Sequence, residues 1–103
     1  MTDTDFNVLL LTGRALVKFR LEHGYPAAGL ADVIACNDAI EARDVRKALK
    51  HFRSIAFGGM GTFNDWLPSV AYEHEDADYC WAIGVALFDR WYRLMKAAAG
   101  EAV

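Results

Sequence analysis

Apolar residues recur at helical spacing over three long stretches of the chain and one short stretch. The first long stretch covers residues 4–22, and Thr4 or Asp5 is placed to cap the helix that it predicts. Its apolar stripe consists of Phe6, Leu9, Leu10, Gly13, Leu16, Val17 and Leu21. Because glycine weakens a helix by roughly 1 kcal/mol relative to alanine, Gly13 on this stripe predicts that another helix crosses closely there.

The middle of the chain predicts a turn followed by two more helices. Gly24 and Pro26 end the first helix, because glycine readily takes the left-handed conformation and proline cannot continue a helix. A short second helix is predicted over residues 27–36, and Asn37 with Asp38 is predicted to form the turn that follows it. Asp38 with Glu41 three residues later matches a capping box, which predicts that the third helix begins there and runs to the glycines that follow.

The last helix is predicted over residues 76–99, and Gly100 follows it. Apolar side chains cover more than half of its circumference, which is typical of a helix that is central or shared with a partner. Three main helices and a short one, joined by short loops, predict a single all-α domain over residues 1–103 with an irregular glycine-rich loop. The alternative is an α+β fold, in which residues 62–72 form a small hairpin.

Composition and charge narrow the function classes. The 103 residues are 54% hydrophobic and carry a net charge of −3, so no overall charge attracts nucleic acid. The basic side of the third helix is typical of a solvated face, and we expect no nucleic-acid partner; it consists of Arg43, Arg46, Lys47, Lys50 and Arg53. The longest uncharged helical run is about half of what a bilayer crossing requires, and the acidic start is unlike a secretory signal. These patterns predict a cytoplasmic protein without a membrane partner, in which Cys36 and Cys80 are reduced and buried.

The segment from Phe57 to Trp66 combines three glycines with aromatic and short polar residues. Its glycines favour a turn that stops the third helix, although converging backbone N–H groups also suit an anion. No Gly-Lys-Ser/Thr ending of a phosphate-binding loop is present. Asn64 and Asp65 are typical turn formers. The candidate binding residues of this loop are Gly58, Gly59, Gly61, Phe63, Asn64, Asp65 and Trp66.

An acidic run precedes the last helix. Its carboxylates favour the positive end of the helix dipole, and they also suit a basic partner. Glu73, Glu75 and Asp76 are therefore candidate partner-contact residues. A metal site formed by His74, Glu75 and Asp78 lacks the paired ligand spacing of known metal motifs, and we expect neither a metal nor another cofactor.

The residues Gly58-Gly59-Met60-Gly61-Thr62-Phe63-Asn64-Asp65 resemble a signature of small uncharacterised bacterial domains. That signature reads Gly-Gly-Met-Gly-Ser/Thr-Phe/Leu-Asn-Asp and lies between an upstream helical region and a C-terminal helix. The resemblance covers about ten residues and implies no activity. Trp66 stands where the group has an aliphatic residue. By analogy, small bacterial domains of this kind include immunity proteins that neutralise toxins.

The sequence favours a non-enzymatic protein-binding module, with a partner protein or a second copy of the chain as its ligand. An immunity-type inhibitor of a basic toxin is the most concrete version. No catalytic residues are assigned, because none of His23, His51 and His74 has neighbours in sequence that suggest a catalytic set of nucleophile, base and orienting carboxylate. The alternative is a small-molecule or anion-binding protein, or an enzyme, that uses the Gly58–Gly61 backbone with Asp65 and His74.

Overall fold

The computed structural model describes residues 1–58 and 61–100. These residues form four α-helices. The helices are α1 (Asp3–Glu22), α2 (Ala31–Glu41), α3 (Val45–Arg53) and α4 (Ala77–Ala98), and a 3₁₀ turn at Ala27–Leu30 leads into α2. The described residues contain no β-strand, so the all-α prediction is confirmed and the hairpin over residues 62–72 is wrong. Within these residues, no helix combines the length and apolarity needed to cross a membrane.

Helix α1 begins at Asp3, one residue before the predicted start. Thr2, and not Thr4 or Asp5, is the N-cap: its hydroxyl accepts from the Asp5 N–H at 3.1 Å, and the Asp5 carboxylate accepts from the Thr2 N–H at 2.9 Å. This reciprocal pair is a capping box with aspartate at its third position. At the other end, Gly24 has a φ of 97°, which confirms that it stops the helix.

The boundary between α2 and α3 lies further along the chain than predicted. Helix α2 continues to Glu41, so Asp38 lies inside it and does not cap the third helix. The break comes at Arg43, which has a left-handed φ of 62°. Asp44 then caps α3 by accepting from the Lys47 N–H at 3.1 Å. Asn37 does not form a turn because its side chain is buried in the α1–α2 contact.

Because Asp44 is the cap, Asp44→Ala is expected to lower the free energy of unfolding by about 1 kcal/mol. The change removes the acceptor for one of the first N–H groups of α3. Asp38→Ala is the matched control, since Asp38 is exposed within α2 and is expected to have almost no effect. Urea denaturation of the two variants measures the difference, and equal losses would contradict the assignment of Asp44 as the cap.

All four helices contribute to one hydrophobic core. Helix α1 packs against α2 and α4, and α2 packs against α3. The fully buried side chains at the centre are Leu9, Leu16, Leu30, Val33, Cys36, Ile40, Trp91 and Met95. Cys36 and Cys80 are free and buried, as predicted. An irregular segment from Gly61 to Asp76 precedes α4 and is called the loop below. It supplies most of the candidate site.

Candidate functional site

The glycine turn after α3 holds itself together with its own polar side chains. Gly58 and Gly61 have φ values of 79° and 78°, a conformation that favours glycine. The Gly58 N–H donates to Asn64 Oδ1 at 2.6 Å, and the Gly61 N–H donates to Asp65 Oδ2 at 2.8 Å. These two N–H groups are therefore engaged within the chain and are not available to an anion. Gly59, also predicted at this site, lies outside the described residues.

Phe63 lies in the core and not on a partner surface, which corrects the sequence-based prediction. Its side chain is buried, and its N–H donates to the carbonyl of Ala56 at 2.9 Å. The ring contacts Phe57, Phe88 and Trp91. An aromatic side chain stabilises a fold strongly when it is buried, so the ring ties the loop to α4.

Arg20, near the end of α1, is buried beneath this loop with only 3% of its surface exposed. The centre of its guanidinium lies 3.9 Å from the ring centroid of Phe63, 4.7 Å from that of Tyr25 and 4.8 Å from that of Trp66. Nη1 donates to the Phe63 carbonyl at 2.6 Å. The Nε atom is buried and has no hydrogen-bond partner.

The Arg20 charge is not neutralised within the described part of the chain. None of the ion pairs found there includes Arg20. Burial lowers the pKa of Arg20 to about 10, which still leaves the guanidinium protonated at neutral pH. The ring contacts, the Phe63 carbonyl and a hydrogen bond with the Tyr25 side chain supply no carboxylate, so they compensate only part of the cost of burying a cation.

A groove of about 290 Å³ lies between the loop and α4, and Arg20 lines it. The walls are mainly apolar and aromatic: the other lining residues are Asn64, Trp66, Pro68, Trp81, Gly84, Val85, Phe88 and Asp89. Trp81 and Val85 are one helical turn apart and are 53% and 45% exposed. Leu67, which stands between two lining residues in sequence, is 75% exposed. Of the sequence-predicted residues, Trp66 and Asn64 lie on this groove.

The two other polar residues of the groove are already oriented by the chain. Asn64 Oδ1 accepts from the Gly58 N–H and the Thr62 hydroxyl, which leaves the amino group of Asn64 as a donor. Asp89 is paired with Arg93 one turn along α4, at 3.0 Å. The groove therefore offers donors from Arg20 and Asn64, while the Asp89 charge is partly balanced.

A buried ion pair fixes the far end of the loop. His23 Nε2 lies 2.8 Å from Glu75 Oε2, and each side chain is less than 5% exposed. His23 Nδ1 lies 2.7 Å from the Phe19 carbonyl, and Glu75 Oε1 accepts from the N–H groups of Ala71 and Tyr72. Glu75 is thus an internal anchor and not the partner-contact residue that the sequence suggested.

The other carboxylates of the acidic run are exposed, and one of them caps α4. Asp76 caps α4 by accepting from the Tyr79 N–H at 2.7 Å and is exposed, as are Glu73 and Asp78. Glu75, and not His74, approaches possible metal ligands: the donor atoms of His23, Glu75 and Cys80 lie within 4.8 Å of one another. Nitrogen, oxygen and thiolate donors suit zinc in type, but the direct contact between His23 and Glu75 fills the space between two of them.

Sequence reasoning missed Arg20, although a signal was present. The buried positions of α1 include Leu9, Gly13 and Leu16, and the next position at the same helical spacing is Arg20. A charged residue on an apolar stripe must be paired, stacked or directed at a ligand, since its charge is costly to bury. The contact between His23 and Glu75 gave no such signal, because 52 residues separate them in the chain.

No protein-family model matches this chain, and no curated protein or solved structure shows significant similarity to it.

Proposed function

We propose that the protein is a non-enzymatic binding module that recognises a partner protein through the groove between the loop and α4. The supporting observation is the exposure of two large apolar side chains, Trp81 and Val85, that line the groove. Large apolar side chains grouped around a concavity are characteristic of protein-interaction sites. The groove suits a short segment that carries an apolar side chain between the two tryptophans.

The chemistry of the groove supports binding over catalysis. Among the described residues that line it, none is a serine, threonine, cysteine or histidine. Asp89 is exposed and held by Arg93, an environment unlike that of a general base. Buried Cys36 donates to the Ala48 carbonyl, and burial raises its pKa to about 12, which disfavours the reactive thiolate.

The apolar groove replaces the acidic run as the main contact surface in this proposal. Glu75 is engaged in the fold, whereas Glu73, Asp76 and Asp78 remain exposed to attract a basic partner, although Asp76 also caps α4. An immunity-type inhibitor is one form of such a module, but its electrostatic basis is smaller than the sequence suggested.

Selection from a displayed peptide library tests the proposal even though the partner is unidentified. We expect the selected peptides to share an apolar consensus and to bind Trp81→Ala at least tenfold more weakly, because the ring forms the groove wall. Leu11→Ala is the matched control: Leu11 is an exposed apolar residue of α1 that does not line the groove. Its affinity for the same peptides should stay within twofold of the wild type.

Peptides that bind both variants equally, or a selection without a consensus, would contradict the proposal. A second copy of the chain is the other partner that the groove suits, because the exposed side chains of Trp81 and Val85 also favour self-association. Light scattering at increasing concentration measures this directly. A mass that remains at that of the 11.5 kDa chain excludes a homodimer, whereas a dimer abolished by Trp81→Glu assigns the groove to self-association.

A further inference from the structure

We infer that the Arg20 end of the groove is a carboxylate site, which takes a carboxylate joined to an apolar or aromatic body. In the proposed function, an acidic side chain of the partner supplies that group beside an apolar residue. The inference rests on the proposed function only for this source of the carboxylate. The support for the site itself is the environment of Arg20, which does not depend on the proposed function.

The proposed site contains a buried cation whose ring contacts and neutral hydrogen-bond partners include no carboxylate. Arg20 is almost completely buried, has no carboxylate partner in the described part of the chain, and leaves Nε without an acceptor. Buried charges are normally paired, because an unpaired charge is costly to remove from water. An anion that enters the groove would supply the missing pair and would do so in a low-dielectric setting, where the attraction is strong.

The surrounding groups select for a flat, singly charged anion. The Phe63 and Trp66 rings lie close to the guanidinium, and the carbonyl of Phe63 already accepts from Nη1. Carboxylates match the remaining planar N–H donors of an arginine. The amino group of Asn64 is the second donor on the groove, whereas Asp89 places a negative charge at the same groove and disfavours a dianion.

The body attached to the carboxylate must be apolar. Beyond Arg20, the groove wall is formed by Trp66, Pro68, Trp81, Val85 and Phe88. These side chains offer no charge and few donors, so a hydrophilic ligand would lose hydration without compensation. An aromatic or branched aliphatic group would gain from burial against the tryptophans.

Titration with small aromatic anions tests the site directly, because Trp66 and Trp81 report through their fluorescence. We expect benzoate to bind at least tenfold more tightly than benzamide, which has the same shape without the charge. Phenyl phosphate should bind more weakly than benzoate. Arg20→Met should abolish the difference between benzoate and benzamide, and Arg20→Lys should restore part of it. Equal binding of benzoate and benzamide to the wild type would overturn the inference.

Asp89→Asn keeps the test decisive if the Arg20 variants fail to fold. Removing this charge from the groove should increase benzoate affinity two- to threefold and leave benzamide unaffected. Asp38→Asn is the matched control, because it removes one exposed carboxylate that lies outside the groove and should change nothing. No gain in Asp89→Asn, or the same gain in both variants, would count against the site.

The two proposals fail in different ways. Selected peptides that bind through Trp81 but contain no acidic residue would leave protein binding intact and overturn the carboxylate site. Preferential benzoate binding without any peptide consensus would support the site and contradict the protein partner. That second result would favour a small carboxylate as the ligand. It would support the anion-binding alternative, with Arg20 and not the glycine turn as the site.

Discussion

Glu75→Ala is expected to lower the melting temperature by at least about 10 °C, because it breaks a buried ion pair. Three donors lose their acceptor at once: His23 Nε2 at 2.8 Å, the Ala71 N–H at 3.0 Å and the Tyr72 N–H at 2.9 Å. His23 would remain buried with no carboxylate, and the loop would lose its buried ion pair with the end of α1. Thermal denaturation followed by circular dichroism measures the change.

Glu73→Ala is the control for this experiment. Glu73 has the same charge two residues earlier, but it is exposed, so its removal should shift the melting temperature by no more than about 2 °C. A small effect of Glu75→Ala would mean that the loop is attached to α1 by other contacts. Such contacts are the Ser69 N–H, which donates to the His23 carbonyl at 2.9 Å, the Tyr72 hydroxyl, which donates to Glu22 at 2.7 Å, and the bond from Arg20 to the Phe63 carbonyl.

The same ion pair predicts how stability depends on pH. Burial alone would raise the pKa of Glu75, but the bonds from His23, Ala71 and Tyr72 outweigh it and lower the pKa from 4.5 to about 2. Burial likewise opposes the charged form of His23, yet its bonds to Glu75 and the Phe19 carbonyl raise the pKa above 6.5. The pair is therefore fully formed between about pH 4.5 and 6.5.

These pKa shifts predict that stability falls on both the acidic and the basic side of this pH range. The contribution of Glu75 is lost as pH falls from 4.5 through about 2, because its carboxylate becomes protonated in the folded state. The contribution of the raised His23 pKa is lost as pH rises above 6.5 through the folded value. Glu75→Gln should make the free energy of unfolding less dependent on pH at both ends than in the wild type, as measured by urea denaturation from pH 3 to 9. Parallel profiles for the two proteins would contradict the role of the pair.

Local signals predicted most of the helices, whereas contacts within the tertiary structure decided the rest. Gly24 and Gly100 have positive φ values where the sequence ended helices, and Asp76 lies where the acidic run suggested a helix start. The break between α2 and α3 was misplaced because Asn37 and Asp38 look like a turn in isolation. Burial of Asn37 against α1 keeps that segment helical, and no sequence pattern contains this contact.

The candidate site was only partly predictable for the same reason. The glycine turn was identified correctly, and Asn64 with Asp65 binds its backbone as expected of turn formers. The alternative of anion binding by this turn loses support, because the two described N–H groups are used internally. Arg20 becomes part of the site only through Phe63, which is 43 residues away in the chain. Such long-range pairs are set by the packing of α1 against α4, and local spacing does not encode them.

Close packing at Gly13 gives the second large prediction: Gly13→Val should lower the free energy of unfolding by about 3 kcal/mol. A Cβ atom built at Gly13 would lie 2.0 Å from Asn37 Oδ1 and 2.9 Å from Asn37 Cγ. Both distances are far below van der Waals contact, so α1 and α2 must separate or Asn37 must leave its buried position. Urea denaturation measures the loss.

Two further variants separate the clash from the effect of valine on helix formation. Leu11→Val introduces the same residue on the exposed side of α1 and should cost only a few tenths of a kcal/mol, about the difference in helix propensity. Asn37→Ala removes the atoms that meet the new side chain, so Gly13→Ala and Asn37→Ala together should cost less than the sum of the two single changes. Strict additivity would mean that the helices adjust without strain. Coupling would show that Gly13 exists in this helix, despite its cost, to admit Asn37.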